Sequence, residues 1–118
     1  MRWEKPTDIL VKAFDDALPK TTRVDRRKMF GMPAAFVNGN MFAGLHQQNV
    51  VLRLSEKDRV SLLKSGWSQF EPMPGRPMKE YLTTPRSVTA KPSDLSKWIN
   101  VSYDFVAAMP PKVKRTKS

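Results

Sequence analysis

The chain has 118 residues, which is the usual length of one domain. It contains no cysteine, which excludes disulfides, thiol nucleophiles and thiolate zinc sites and fits a reducing compartment. The N-terminus has no apolar signal segment, and no apolar run approaches the ~20 residues that span a bilayer. We therefore expect a cytoplasmic protein without a membrane partner.

The net charge of +10 is concentrated in separate basic clusters. They are Lys20, Arg23, Arg26, Arg27 and Lys28; Arg76, Lys79, Arg86 and Lys91; and Lys112, Lys114, Arg115 and Lys117. Clustered positive charge favours nucleic acid or an acidic protein as a partner. The candidate nucleic-acid-binding residues are Arg23, Arg26, Arg27, Lys28, Arg76, Lys112, Lys114, Arg115 and Lys117. The alternative is that these side chains only keep the protein soluble.

The first element is an amphipathic helix from Thr7 to Leu18. Its apolar residues recur at helical spacing, Thr7 is suited to cap the N-terminus, and Pro19 ends it. The basic segment 20–28 then reads as a connection or a short helical turn.

A three-stranded β-meander follows. Asn38-Gly39 predicts a tight hairpin turn, because both turn positions need positive φ, and Gln47-Gln48 predicts a second, weaker turn. If Val37 pairs with Asn40, and His46 with Asn49, these two pairs fix the register along all three strands. One surface of the meander is then predicted to carry Ala34, Phe36, Met41, Ala43, Leu45, Val50, Leu52 and Leu54.

The opposite surface is mixed but rich in apolar residues. It is predicted to carry Ala35, Val37, Phe42, Gly44, His46, Val51 and Arg53. An apolar surface of this kind is either covered by another part of the chain or used by a partner. Val37, Phe42 and Val51 are therefore candidate interface residues for a homodimer.

The C-terminal half predicts a helix, two short strands and a final helix. The second helix begins at Ser55, runs to about Lys64 and ends before Gly66. A strand and loop occupy 67–76, and another strand occupies 79–83. The last helix starts at Ser93 and ends near Met109. The expected fold class is α+β: two layers, a mainly antiparallel sheet and helices packed on one face, in one domain over 1–109 with a basic, disordered tail over 110–118.

The sequence resembles the N-terminal domain of the TfoX/Sxy competence regulators over roughly Thr7 to Met109. The residues that carry the resemblance are Lys28-Met29-Phe30-Gly31, Asn38-Gly39-Asn40-Met41-Phe42-Ala43, Val50-Val51-Leu52-Arg53-Leu54, Gly75-Arg76-Pro77-Met78-Lys79-Glu80-Tyr81 and Pro85. The resemblance implies a stand-alone α+β domain whose order of elements agrees with the one predicted above. In larger members of the family, which regulate DNA-uptake genes, this domain is joined to a separate helical domain.

No residue pattern indicates catalysis. His46 is the only histidine and lies outside any recognisable triad, while Asp15 and Asp16 are adjacent and point apart on a helix. The glycines lack phosphate-loop spacing. We expect no cofactor, no metal and no enzymatic activity, and interpret the chain as a binding domain for nucleic acid or an acidic partner; the alternative is a protein-interaction domain without a nucleic-acid role.

Overall fold

The computed structural model describes residues 5–29 and 31–110, which form an α+β domain. Its helices are α1 (Asp8–Ala17), α2 (Glu56–Leu63), α3 (Arg86–Thr89) and α4 (Pro92–Ala107). Its strands are β1 (Asp25–Met29), β2 (Met32–Val37), β3 (Asn40–His46), β4 (Asn49–Arg53), β5 (Ser68–Gln69) and β6 (Tyr81–Thr83). The strands form one antiparallel sheet in the order β1-β2-β3-β4-β6-β5.

The helices pack on one face of the sheet, which confirms the predicted two-layer fold class. Phe14 of α1, Leu62 of α2, Val88 of α3 and Ile99 of α4 belong to one buried cluster with the sheet. We call this side of the sheet the helix face and the other side the outer face.

Local capping signals correctly locate the starts of the first two helices. The Thr7 hydroxyl accepts a hydrogen bond from the amide of Leu10, and the Ser55 hydroxyl accepts one from the amide of Asp58. Each bond satisfies an amide that has no partner within its helix. The last helix begins at Pro92, one residue before the predicted start, because proline fits the first helical position without losing a hydrogen bond.

The basic segment 20–28 is a connection as predicted over 20–24, but the prediction is wrong for 25–28, which belong to a strand. Residues Asp25 to Met29 form β1, which pairs with β2 at an edge of the sheet. The first four of its residues are exposed, so no buried side chains alternate along it. The antiparallel ladder to β2, the next strand in the chain, accompanies its extended conformation.

Both hairpin turns lie where the sequence predicts them. Asn38 and Gly39 have φ of 54° and 79°, and Gln47 has φ of 56°. The predicted pairing of β3 with β4 is also confirmed, with His46 opposite Asn49 and Leu45 opposite Val50.

The pairing of β2 with β3 departs from the predicted register at a β-bulge. Val37 faces Asn40 and Phe36 faces Met41 as predicted, but Ala35 then faces Ala43. Phe42 is therefore an extra residue in β3. Because one inserted residue exchanges the two faces, β2 and the start of β3 (Met41 and Phe42) present their residues on the side opposite to the predicted one.

The predicted single apolar surface is consequently wrong for part of the meander. Met41 packs in the outer-face cluster and Ala34 lines an outer-face cavity, while Phe36 pairs with Met41. Ala35 and Val37 lie instead in the helix-face core. The placement of Ala43, Leu45, Val50, Leu52 and Leu54 on the helix face is confirmed.

Candidate functional site

The outer face carries an apolar cavity of about 210 Å³. Four methionines, Met29, Met32, Met41 and Met78, line it together with residues of β2, β3 and β4 and of the β5–β6 connection. Phe70 and Pro72 of this connection close one side. The cavity residues thus come from five strands or connections that the fold brings together across the sheet.

The floor of the cavity consists of the smallest residues of the sheet. Ala34 and Gly44 are paired directly across β2 and β3. A Cβ atom added to Gly44 would lie 3.6 Å from both the Cβ of Ala34 and the Sδ of Met41, which is ordinary contact. Neither crowding nor a positive φ requires glycine here, so its effect is to leave space above the strand.

His46 is the polar side chain of the cavity wall. Its ring packs edge-to-face on Phe70, with the ring centroids 5.1 Å apart. Burial lowers the pKa of His46 below its ordinary value of 6.5, so the imidazole is neutral at neutral pH. The cavity lining therefore offers no full charge.

The β5–β6 connection is fixed over the outer face by Tyr81. Its hydroxyl donates a 2.9 Å hydrogen bond to the carbonyl oxygen of Met41, and burial raises the pKa of this phenol. Arg53 of β4 forms an ion pair with Glu80 at 3.0 Å, at the start of β6. These contacts attach the β5–β6 connection, which forms one wall of the cavity, to β3 and β4 in the middle of the sheet.

The first basic cluster is divided between the two faces because consecutive strand residues alternate. Arg26 points to the helix side, where its guanidinium binds the Asp15 carboxylate through contacts of 2.8 and 3.0 Å. Arg27 points to the outer side, pairs with Asp25 at 2.6 Å and lies over the ring of Phe36.

The other candidate nucleic-acid-binding residues are not gathered into one described patch. Arg23 donates to the Asn38 side chain at 3.3 Å, and Lys28 is exposed on β1. Arg76 is exposed in the β5–β6 connection, which belongs to the opposite edge of the sheet. The remaining candidates, Lys112, Lys114, Arg115 and Lys117, lie outside the described residues.

The candidate interface residues are buried within the chain, which agrees with the alternative that another part of the chain covers this surface. Val37 and Phe42 have no exposed area and lie in the helix-face core, where Phe42 packs edge-to-face on Tyr103. Val51 does lie on the outer face, but Phe70 and Tyr81 cover it. The bulge explains the burial of Val37 and Phe42, because it turns their side chains toward the helices.

Sequence reasoning missed the cavity, although two signals were present. The chain has seven methionines, and Gly44 interrupts an otherwise apolar strand without any turn next to it. Glycine inside a strand often marks the close approach of another group. The partners that complete the cavity come from distant segments, so neither signal located it.

The described part of the chain holds no group of three or more His, Cys, Asp or Glu side chains suited to a metal ion. Within the same ranges, every helix is too short or too polar to cross a bilayer.

In a comparison with protein-family models, the model of the TfoX N-terminal domain matches residues 16–106. A search of curated proteins found no match to the chain. The family match covers the sheet with its bulge and most of α4, and it agrees with the resemblance drawn from the turn and strand sequences. The chain therefore belongs to the TfoX N-terminal domain family.

Proposed function

We propose that this chain is a non-catalytic, regulator-type binding domain whose partner is nucleic acid. Its family supports a regulatory role of this type. The choice of nucleic acid as the partner depends on one observation, the net charge of +10, much of which lies on exposed side chains.

The exposed basic residues differ in how much uncompensated positive charge they present to a partner. Arg26 and Arg27 are each compensated by a neighbouring carboxylate. Lys28 and Arg76 are exposed and form no ion pair with any described residue. Uncompensated cations release counterions from a phosphate backbone most effectively, so we assign the described part of the contact to Lys28 and Arg76.

The test is the salt dependence of binding to duplex DNA of mixed sequence. Each phosphate contact contributes about −0.9 to the slope of log affinity against log salt, so K28Q/R76Q is expected to reduce the slope by about 1.8. The control K57Q/K64Q removes equal charge from exposed positions on or next to α2 that belong to none of the basic clusters, and it is expected to leave the slope nearly unchanged. Truncation after Pro110 removes four basic residues of the tail and is expected to reduce the slope by about 3 to 4.

Absence of binding at low salt would reject the proposal. Equal losses in the two double variants would show attraction by net charge without a defined surface. A poly-glutamate chain of matched charge that binds more tightly than DNA would identify an acidic protein as the partner.

The homodimer alternative stays a prediction, and the structure does not favour the surface first chosen for it. Since Val51 is buried, V51E would test folding and not association. The molar mass from sedimentation of the unmodified chain tests dimerisation directly, and a monomer at the concentrations used for DNA binding would reject it.

A further inference from the structure

We propose that the outer-face cavity is a binding site for a small, neutral, aromatic molecule. This inference is independent of the proposed nucleic-acid contact, because no lysine or arginine lines the cavity. It rests on the size of the cavity, on the side chains of its walls and on the glycine of its floor.

The volume sets the size of the ligand. An apolar cavity of about 150 Å³ holds one benzene molecule, so about 210 Å³ holds roughly eight to ten non-hydrogen atoms. This is one substituted ring or two small fused rings. A longer chain molecule would extend out of the cavity into water.

The walls favour an aromatic ring over an aliphatic group. Thioether sulfur makes favourable contacts with aromatic rings, and methionine adapts its shape to an occupant. Four methionines surround the space, and Phe70 offers an edge or a face for ring packing.

The lack of charged side chains in the cavity lining determines that the ligand is neutral. No lysine, arginine, aspartate or glutamate lines the cavity. An ion that entered would lose its hydration without gaining a partner, which is strongly unfavourable. The imidazole of His46 is neutral at neutral pH and cannot balance the charge of an ion.

Gly44 is the second observation that points to an occupant. Glycine inside a strand destabilises the strand, and the backbone at Gly44 does not require it. Any larger residue would place side-chain atoms in the cavity above Ala34. The sheet therefore keeps open a space that an ordinary strand residue would fill.

The experiment uses the full chain labelled with 13C at the methionine methyl groups. Benzyl alcohol is the neutral probe, and benzoate is an anionic probe of nearly the same size. Benzyl alcohol is expected to shift the methyl signals of Met29, Met32, Met41 and Met78 in a saturable way. Met73 and Met109 lie outside the cavity and serve as internal controls. Benzoate is expected to leave the four signals in place.

Variants at the floor test the location. G44V places three carbon atoms in the cavity and is expected to abolish the shifts, while G44A is expected to weaken binding several-fold. V60A, at an exposed position of α2, is the control and is expected to bind like the unmodified chain. Amide spectra establish that each variant is folded, and G44A decides the test if G44V does not fold.

Three results would overturn the proposal. The first is the absence of saturable shifts at the four cavity methionines in the folded protein. The second is binding that G44A and G44V leave unchanged. The third is shifts of equal size with benzoate, since they would indicate association with the positive surface.

Discussion

The side chain of Ser102 connects the final helix to the irregular part of the sheet. Its hydroxyl oxygen is buried and lies 2.6 Å from the carbonyl oxygen of Phe42 and 2.7 Å from that of Arg53. Phe42 is the extra residue of the bulge, whose backbone leaves the regular ladder. The single hydroxyl proton of Ser102 is therefore shared between the carbonyl of the bulge residue Phe42 and that of Arg53.

Replacing this hydroxyl is expected to destabilise the fold. S102A leaves two buried carbonyl groups without their shared donor, and we expect a loss of about 1–3 kcal/mol in the free energy of unfolding. Urea denaturation measures it, and S93A at an exposed position of α4 is the control. An effect of S102A no larger than that of the control would show that the bulge does not depend on this bond.

The pH dependence of stability is expected to contain a contribution from His46. Burial lowers its pKa in the folded state, so the unfolded state takes up a proton more readily. The contribution is complete above pH 6.5 and is lost as the pH falls through the lower folded pKa. We expect the free energy of unfolding to decrease over this interval more steeply in the unmodified chain than in H46Q. Parallel pH profiles of the two proteins would contradict this, because all other titrating groups are shared.

At the scale of elements, β1 shows how an exposed edge strand is kept from pairing with other molecules. Three consecutive basic residues, Arg26, Arg27 and Lys28, occupy it, and its first four residues are exposed. Charged side chains on an edge strand oppose association with another sheet. Part of the charge that suggests a nucleic-acid partner therefore also protects the edge of the sheet.

Two glycines of the β2–β3–β4 region are expected to respond oppositely to alanine. Gly39 has φ of 79° in the hairpin turn, so G39A is expected to lower the free energy of unfolding by about 1–2 kcal/mol. Gly44 has ordinary strand geometry and room for a Cβ, so G44A is expected to raise it by about 0.4–1 kcal/mol. Denaturant titration of both variants checks the contrast. Destabilisation by G44A would mean that the floor of the cavity tolerates no added atom.

At the scale of the whole molecule, the charge of +10 opposes the compact state through mutual repulsion. Salt screens this repulsion over a Debye length of about 8 Å at 0.15 M. We therefore expect the thermal midpoint of the chain to rise when sodium chloride is added up to about 0.15 M. K57Q/K64Q carries less charge and is expected to show a smaller rise. A midpoint that falls with salt would show that the ion pairs outweigh the repulsion.

The sequence predicted those parts of the structure that neighbouring residues determine. Asn38-Gly39 specifies its turn because these two residues adopt positive φ at low cost, and Thr7 and Ser55 cap helices within one turn of chain. The same local rules predicted the β3–β4 register, which the structure confirms. They did not find β1 or α3, whose conformations depend on packing and pairing with other elements.

The amino-acid sequence by itself determined the fold class, the hairpin turns, the excess of positive charge and, through its resemblance, the family. Only the tertiary structure decided which side chains share a surface. One inserted residue, Phe42, exchanges the faces of β2 relative to β3, and its carbonyl accepts a hydrogen bond from a hydroxyl 60 positions away in α4. The period of a strand is two residues, so a local pattern cannot reveal a bulge that contacts the other layer. For the same reason the apolar cavity, assembled across five strands and connections, is visible only in the folded chain.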